Sequence, residues 1–153
     1  RCYDGTANST ISSCTIVSNY SPAAGGILAT LGVTVIGQFE NCIIYFNSGA
    51  ATYSNYQISA VSFSNCCTAP APTNYSATVT STNNLTDNPR FVDWPNGDYR
   101  LAPDSRCINV GVNRAWMEGA LDYYGNRRID IFRKTVDIGA FEYLPSGTML
   151  TGY

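Results

Sequence analysis

Acidic side chains in the second part of the chain are the residues whose types and spacing could support chemistry. Only Arg1, Asp4 and Glu40 carry charge in residues 1–86, so most of the nine basic and eleven acidic side chains lie beyond them. Two carboxylates on one face could hydrolyse a glycosidic bond. The chain contains no histidine, which excludes Ser–His and Cys–His mechanisms. The sequence therefore allows two interpretations of these acids: they are catalytic residues of a polysaccharide-active enzyme, or they have a structural role.

A structural role accounts for most of the acids, because aspartates within a few residues of Gly, Pro or Asn commonly accept backbone N–H groups in turns. These aspartates are Asp93, Asp98, Asp104, Asp122 and Asp137. Calcium binding is the alternative role for a second set of acids, since Ca²⁺ is bound by carboxylate oxygen atoms. The spacing of these acids in the sequence fits no EF-hand loop. That set is Asp122, Asp130, Asp137 and Glu142. We predict no catalytic residue and no cofactor, with calcium as the alternative.

Six cysteines and four N-x-[ST] sequons indicate a secreted protein. An even cysteine count fits an oxidising compartment and a disulfide framework. The candidate disulfide residues are Cys2, Cys14, Cys42, Cys66, Cys67 and Cys107. We expect Cys107 to join Cys66 or Cys67. The candidate glycosylation sites are Asn8, Asn19, Asn74 and Asn84.

Composition favours β-structure with a neutral polar surface. Charged residues make up 13% of the chain, about half of the usual share of roughly 25%. A net charge of -2 gives no excess of positive charge with which to bind nucleic acid or an anionic membrane. No apolar run approaches the roughly 18 to 20 residues of a membrane helix. Because the chain starts at Arg1 without a signal peptide, we expect a processed form or a fragment.

A weak internal repeat in residues 1–87 indicates the fold. Residues 14–19 match residues 42–47, and residues 63–67 form a poorer third copy. Short apolar runs separated by Gly, Asn and Ser turns at this spacing are typical of a β-solenoid. Equivalent residues would then stack, as an interior column of Cys14, Cys42 and Cys66 and a step of Asn19 on Asn47. The alternative is an antiparallel β-sandwich.

Further elements are predicted from local patterns. Strands are expected at residues 33–36, 77–80 and 136–143, and the best helical candidate is short, at residues 113–120. Gly111, Gly125 and Gly139 are expected at positions of positive φ or close backbone approach. The chain divides into strand-forming residues 1–87, a charged block at residues 88–143 and a neutral tail at residues 144–153.

The charged block carries an ordered series of motifs. They are N-P-R-F-V-D at 88–93, G-D-Y-R-L at 97–101, S-x-C-I-N-x-G at 105–111, D-x-x-G-N-x-R at 122–128 and V-D-I-G-A-F-E-Y at 136–143. This order resembles the C-terminal end of secreted bacterial right-handed parallel β-helix proteins, in particular choice-of-anchor Q domain proteins. It is more loosely similar to polymorphic outer-membrane proteins. Arg106 and Arg127 stand where that family usually has Pro, and no sorting tail is recognisable in residues 144–153.

The resemblance implies an all-β, right-handed parallel β-helix with a C-terminal capping region. We expect Arg100, Arg127 and Arg128 to pair with Asp137 or Glu142. The predicted cap residues are Asp93, Asp98, Arg100, Asp122, Gly125, Arg128, Asp137, Gly139 and Glu142. They would close the end of the stacked strands.

The expected function is structural or adhesive, without catalysis, at a bacterial cell surface or in the extracellular space. Head-to-tail self-association into a fibre is its most specific form, because an uncovered strand edge templates pairing. Glycans are the other expected partners, whereas nucleic acid and a membrane span are not expected. The alternative function is a polysaccharide lyase or hydrolase, or a carbohydrate-binding protein, built on the same fold.

Overall fold

The computed structural model of the chain describes residues 9–28, 37–49, 54–57, 61–72 and 79–145. Short strands dominate these residues, and the helices among them are two single 3-10 turns. The strands are β1 (Ser9–Ser12), β2 (Thr15–Val17), β3 (Tyr20–Ser21), β4 (Ile27–Leu28), β5 (Gly37–Glu40), β6 (Ile43–Tyr45), β7 (Ser48–Gly49), β8 (Tyr56–Gln57), β9 (Val61–Ser64), β10 (Cys67–Thr68), β11 (Thr80–Thr82), β12 (Phe91–Asp93) and β13 (Asp98–Leu101). The 3-10 turns are η1 (Trp94–Asn96) and η2 (Ala115–Met117). The all-β prediction is confirmed.

Parallel pairing organises the first eleven strands. Sheet 1 has the order β1-β5-β9-β11, and sheet 2 has the order β10-β6-β2. Sheet 3 pairs β3 with β7, and sheet 4 pairs β4 with β8. Only β12 and β13 pair in the antiparallel sense among the described strands. The antiparallel β-sandwich alternative is therefore wrong.

The register explains the repeat seen in the sequence. Thr15 of β2 pairs with Ile43 of β6, and Ile43 pairs in turn with Cys67 of β10. Cys67 then bridges Leu85, so that one column of residues crosses sheet 2 and continues beyond it. In sheet 1, β1 pairs with β5, β5 with β9 and β9 with β11, so that each strand pairs with the equivalent strand of the next segment of the chain. We name the successive described segments row 1 (9–28), row 2 (37–49 and 54–57), row 3 (61–72) and row 4 (79–85).

A two-residue bend connects sheet 1 to sheet 2 in every row. Its first residue has a positive φ each time, at Ser13 (51°), Asn41 (51°), Asn65 (51°) and Asn83 (52°). Asn visits this left-handed region more readily than most side chains. Recurrence of Asn at this position thus places the bends of successive rows on top of one another.

Columns of equivalent side chains fill the interior between the sheets. Phe39 stacks on Phe63 with ring centroids 5.3 Å apart. Cys42 and Cys66 are fully buried in the same cluster, and Cys14 packs against it. The predicted cysteine column is therefore confirmed.

An asparagine ladder connects the rows at a second corner. Asn19 donates its side-chain amide to Asn47 Oδ1 (3.0 Å), and Asn47 donates to Asn55 Oδ1 (3.1 Å). Asn55 continues the series by donating to the carbonyl of Ala69 at 2.8 Å. The predicted step of Asn19 on Asn47 is confirmed, whereas the contribution of Asn55 was not predicted.

Residues 88–145 lie along the flank of sheet 2. Ala140 donates its backbone N–H to Thr15 Oγ1 in row 1 at 3.0 Å. Asn65 in row 3 donates its side-chain amide to the carbonyl of Val110 at 3.2 Å. The block thus contacts rows 1 to 3 along one side. The block covers the side of the stacked rows, so the prediction that it closes their end is wrong.

The flank is held by a second apolar cluster. Ile44 points into the interior cluster, and its neighbour Ile43 points outward, as strand alternation requires. The outward cluster contains Ile43, Cys67, Phe91, Leu101, Cys107 and Ile138. A sheet that is apolar on both faces needs such a cover, because exposed apolar surface costs about 25 cal/mol per Å².

Several predicted elements differ in the structure. Residues 136–143 are not a strand, because buried side chains and loop carbonyls, rather than a neighbouring strand, satisfy the backbone N–H groups of this segment. The predicted helix at 113–120 is reduced to η2. The strand expected at 77–80 is present as β11, which begins later, at Thr80, in the part that is described. The strand expected at 33–36 lies outside the described residues.

Candidate functional site

A buried ion pair lies at the centre of the charged block. Arg128 Nη1 is 3.1 Å from Glu142 Oε1, and Arg128 Nη2 donates to the carbonyl of Gly139 at 3.2 Å. The expected pairing of Arg128 with Glu142 is confirmed. Gly139 permits this approach with a φ of 109°, a region that L side chains avoid.

Asp137 completes the buried cluster through backbone hydrogen bonds. Its two carboxylate oxygens accept N–H groups from Asn109 (2.7 Å) and Tyr143 (2.6 Å). Its own N–H is donated to Glu142 Oε2 at 2.9 Å. Both carboxylates therefore fix backbone segments, as expected for residues that hold a loop in one geometry.

Burial raises the pKa of both carboxyl groups. Burial, followed by the nearby charge of Asp137, raises the pKa of Glu142 to about 9, despite the opposing effect of Arg128. Burial raises the pKa of Asp137 to about 6, although its backbone hydrogen bonds act in the opposite direction. A single cation thus faces two buried carboxyl groups, and the cluster favours holding one proton.

The turn at residues 122–126 connects this cluster to the surface. Asp122 Oδ1 accepts the N–H groups of Tyr124 (2.9 Å) and Asn126 (2.8 Å), and Asp122 Oδ2 accepts the N–H of Glu142 (2.9 Å). Gly125 has a φ of 85°, as predicted for this position. Asp122 therefore holds the turn and anchors it to the buried pair.

A pocket of about 440 Å³ opens above the buried pair. Its lining residues are Val92, Arg100, Leu101, Pro103, Tyr124, Asn126, Glu142, Tyr143 and Leu144. Tyr124 packs against Phe141, with ring centroids 5.3 Å apart, and the Arg100 guanidinium lies 6.0 Å from the Tyr124 ring. The pocket combines aliphatic, aromatic and amide groups, the mixture found at small-molecule sites.

Two of the predicted cap residues form a different pair from the one expected. Arg100 makes a two-point contact with Asp98, which lowers the pKa of Asp98. It does not contact Asp137 or Glu142 in this way because it lies on β13, on the far side of the pocket. Asp93 is exposed and accepts the side-chain amide of Asn96 at 2.8 Å.

An ion pair that the sequence did not indicate connects row 2 to the block. Arg114 binds both carboxylate oxygens of Glu40, with Nε 2.8 Å from Oε1. Glu40 is 3% exposed at the end of β5. The partners lie far apart in the chain, which leaves no local pattern that could have indicated this pair. Arg114 also borders a second pocket of about 440 Å³, with Arg127 and Lys134 on its wall.

The cysteines of the described part are free thiols, so the expected disulfide of Cys107 is absent there. Cys67 instead donates its thiol to the carbonyl of Asp87 at 3.3 Å, and interaction with the Cys107 thiol together with burial raises the pKa of Cys67. Cys14, Cys42 and Cys66 lie in one column, and each donates its thiol to a backbone carbonyl. They belong to adjacent rows and act as small apolar residues in the core. Cys2 lies outside the described residues.

Asn84 is unsuited to glycosylation in this structure. Its side-chain amide donates to the carbonyl of Phe63 (3.1 Å) and to Ser81 Oγ (2.7 Å). Linkage of a glycan would remove one of these hydrogen bonds. Asn19 is exposed but donates to Asn47. Asn8 and Asn74 lie outside the described residues.

The acids considered for calcium are not arranged as a metal site. In the described ranges, no group of three or more His, Cys, Asp or Glu side chains could hold a metal ion. Asp130 instead accepts the backbone N–H of Phe132 at 2.8 Å. The oxygens of Asp122, Asp130 and Asp137 accept backbone N–H groups, and those of Glu142 face Arg128 and the N–H of Asp137.

Comparisons of the chain with family models, curated proteins and solved structures found no match. The resemblance to secreted β-helix proteins therefore depends on the motif series. No helix in the described part of the chain is long and apolar enough to cross a membrane.

Proposed function

We propose that the protein is an extracellular, non-catalytic parallel β-helix with a structural and adhesive role at a bacterial surface. The observation that carries the proposal is the shared register of the rows. Between any two neighbouring rows, the paired residues of sheet 1 and those of sheet 2 are separated by the same number of residues. Rows that stack in this way form a quasi-one-dimensional structure. A right-handed path is the expected one, since parallel crossovers are right-handed in about 98% of cases.

A non-catalytic role is supported by the hydrogen bonds of the acids. Asp122 and Asp137 accept five backbone N–H groups between them, from Asn109, Tyr124, Asn126, Glu142 and Tyr143. A carboxylate engaged in this way has no free oxygen directed at a substrate. These residues are better suited to positioning loops than to transferring protons.

Self-association is supported by the edge of row 1. Ser13 donates its N–H to the carbonyl of Glu40 in row 2 at 2.9 Å. Because strand backbone groups alternate, Thr10 and Ser12 direct their N–H groups away from row 2. Within the described ranges, β1 to β4 pair with row 2 alone. Such an edge templates the addition of another strand.

Electron microscopy of the purified chain tests this form of the proposal. We expect filaments or stacked oligomers, which the Thr10→Pro variant should shorten or abolish because proline removes an outward N–H. Thr10→Val is the matched control, because it keeps that N–H and should assemble normally. A chain that forms only single particles at all concentrations would overturn self-association.

A polysaccharide-active enzyme is the second candidate, favoured by one observation. Glu142 borders the pocket, and its raised pKa would allow it to hold a proton for general acid catalysis. Glu142→Gln tests this candidate better than Asp122→Ala or Asp137→Ala, which would break loop hydrogen bonds. Release of reducing or unsaturated ends that Glu142→Gln abolishes would establish the enzyme and contradict the non-catalytic proposal.

A further inference from the structure

We propose that the pocket above the Arg128–Glu142 pair binds a neutral saccharide, with the ring of Tyr124 as its stacking platform. The proposal supplies a ligand for the adhesive role and therefore rests on the proposed function. It is based on the shape of the pocket, on the way Tyr124 is held and on the pairing of the surrounding charges.

The lining of the pocket matches the surface of a sugar. Its volume of about 440 Å³ lies within the roughly 300 to 1,000 Å³ of typical small-molecule sites. Val92 and Leu101 provide aliphatic walls, while Asn126 and the tyrosine hydroxyl groups supply hydrogen bonds. A pyranose has C–H groups on its faces and hydroxyl groups at its rim. It can therefore stack on an aromatic ring and bond an adjacent amide at the same time.

Tyr124 is held in position before any ligand binds. The Asp122 carboxylate accepts the backbone N–H groups of both Tyr124 and Asn126, and it also accepts the Asn126 side-chain amide at 3.1 Å, so that both side chains are held on one turn. Phe141 packs against the Tyr124 ring, the Arg100 guanidinium lies over the ring at 6.0 Å from its centroid, and 55% of Tyr124 remains exposed. A site arranged in advance loses little conformational entropy on binding, which favours affinity.

The charges around the pocket are already paired. Arg100 makes its two-point contact with Asp98, and Glu142 faces Arg128 from beneath the pocket. No described lining residue therefore presents an unpaired charge to a ligand. A neutral sugar suits this lining better than a uronate, which would need a cation of its own.

Isothermal titration of the whole chain with cellohexaose, xylohexaose, maltohexaose and hexagalacturonate tests the proposal. We expect at least one neutral hexasaccharide to bind, and Tyr124→Ala to weaken this binding about tenfold. Tyr20→Ala is the matched control, because Tyr20 is exposed on β3 and does not line the pocket. The urea midpoint of each variant should equal that of the unaltered chain.

Three outcomes would overturn the proposal. They are a lack of binding to every neutral hexasaccharide, binding that Tyr124→Ala leaves unchanged, and stronger binding of hexagalacturonate than of neutral probes. Any of these results with filaments still present in the micrographs would refute the saccharide site and leave the structural role standing. Binding without filaments would support the site and refute self-association.

Discussion

Arg128 Nη1 lies 3.1 Å from Glu142 Oε1, and each side chain exposes only 4% of its surface. The two atoms are close enough for an ion pair but lack hydrogen-bond geometry, and no other described group hydrogen-bonds either atom. The Arg128 cation therefore faces the Glu142 and Asp137 carboxyl groups together in a region that water does not reach. Loss of the cation alone would leave two carboxyl groups buried without compensation.

The Arg128→Leu variant should lower the free energy of unfolding by about 3 to 5 kcal/mol, the cost of leaving a buried charge unpaired. Urea denaturation followed by circular dichroism measures the change. Arg127→Leu is the matched control, because Arg127 is far less buried than Arg128 and surface substitutions stay within about 0.5 kcal/mol. Equal effects of the two substitutions would show that the buried pair does not stabilise the fold.

The stability of the protein should fall as the pH rises from about 5 to about 9. Glu142 has an ordinary pKa of 4.5, which the folded state raises to about 9. Between these values the folded protein holds more protons than the unfolded chain, so a rising pH favours unfolding. Asp137 acts in the same direction between 3.8 and about 6.

The urea midpoint measured at several pH values tests this dependence. Glu142→Gln removes the titrating group with little change in shape, and it should flatten the upper part of the profile. Asp122 and Arg128 also face Glu142 and remain in this variant. A midpoint that rises with pH in the unaltered chain would contradict the raised pKa.

Gly139→Ala should destabilise the protein more than Gly125→Ala, although φ is positive at both positions. A Cβ atom at residue 139 would lie 2.8 Å from Ile43 Cδ1 and 3.0 Å from Thr15 Oγ1, whereas a Cβ atom at residue 125 would meet nothing within 4 Å. We expect about 1 to 3 kcal/mol of additional cost, typical of overpacking. Thermal unfolding compares the two variants, and equal costs would imply that the block does not pack on rows 1 and 2.

The thiols of Cys14, Cys42 and Cys67 should react slowly with iodoacetamide at mildly alkaline pH. Hydrogen bonding to Cys42, followed by burial, raises the pKa of Cys14. The hydrogen bond to Cys14 lowers the pKa of Cys42, but the bond to Cys66 and burial outweigh it and raise the value to about 12. The reactive thiolate is therefore scarce in the folded state. Denaturation without reductant should expose the thiols to labelling, as measured by intact mass. A denatured chain that resists labelling until it is reduced would instead indicate disulfides.

The sequence contains enough information to predict the rows but not the placement of the block. Cys14 and Cys42 recur at the offset at which their rows pair, so a local pattern reports the register directly. Glu40 and Arg114 are brought together only by the packing of the block on row 2, and neither residue has a distinctive neighbour. The prediction that Arg100 pairs with Asp137 or Glu142 is wrong because Asp98, on the same strand, is the nearer partner.

The segment at 136–143 shows why an alternating pattern was misleading. Val136 and Ile138 are buried, as a half-buried strand would require, but Asp137 between them is buried as well. A polar side chain that bonds two backbone N–H groups can replace a neighbouring strand. Alternation predicted the burial of Val136 and Ile138 correctly, but it predicted neither the burial of Asp137 nor the source of the backbone hydrogen bonds.

The constant bend between sheets 1 and 2 has a consequence for the engineering of this chain. The separation in sequence between paired positions of sheet 1 decreases along the chain (Ser9 with Gly37, Gly37 with Val61, Ser62 with Thr80), yet the bend keeps its length in every row. All variation in length is therefore confined to the return leg, from sheet 2 back to sheet 1. A foreign peptide inserted into a return leg would leave the columns of sheets 1 and 2 intact. One residue added between β5 and β6 would turn Cys42 and Ile44 out of the interior, since a single-residue slip exchanges the two faces of a strand.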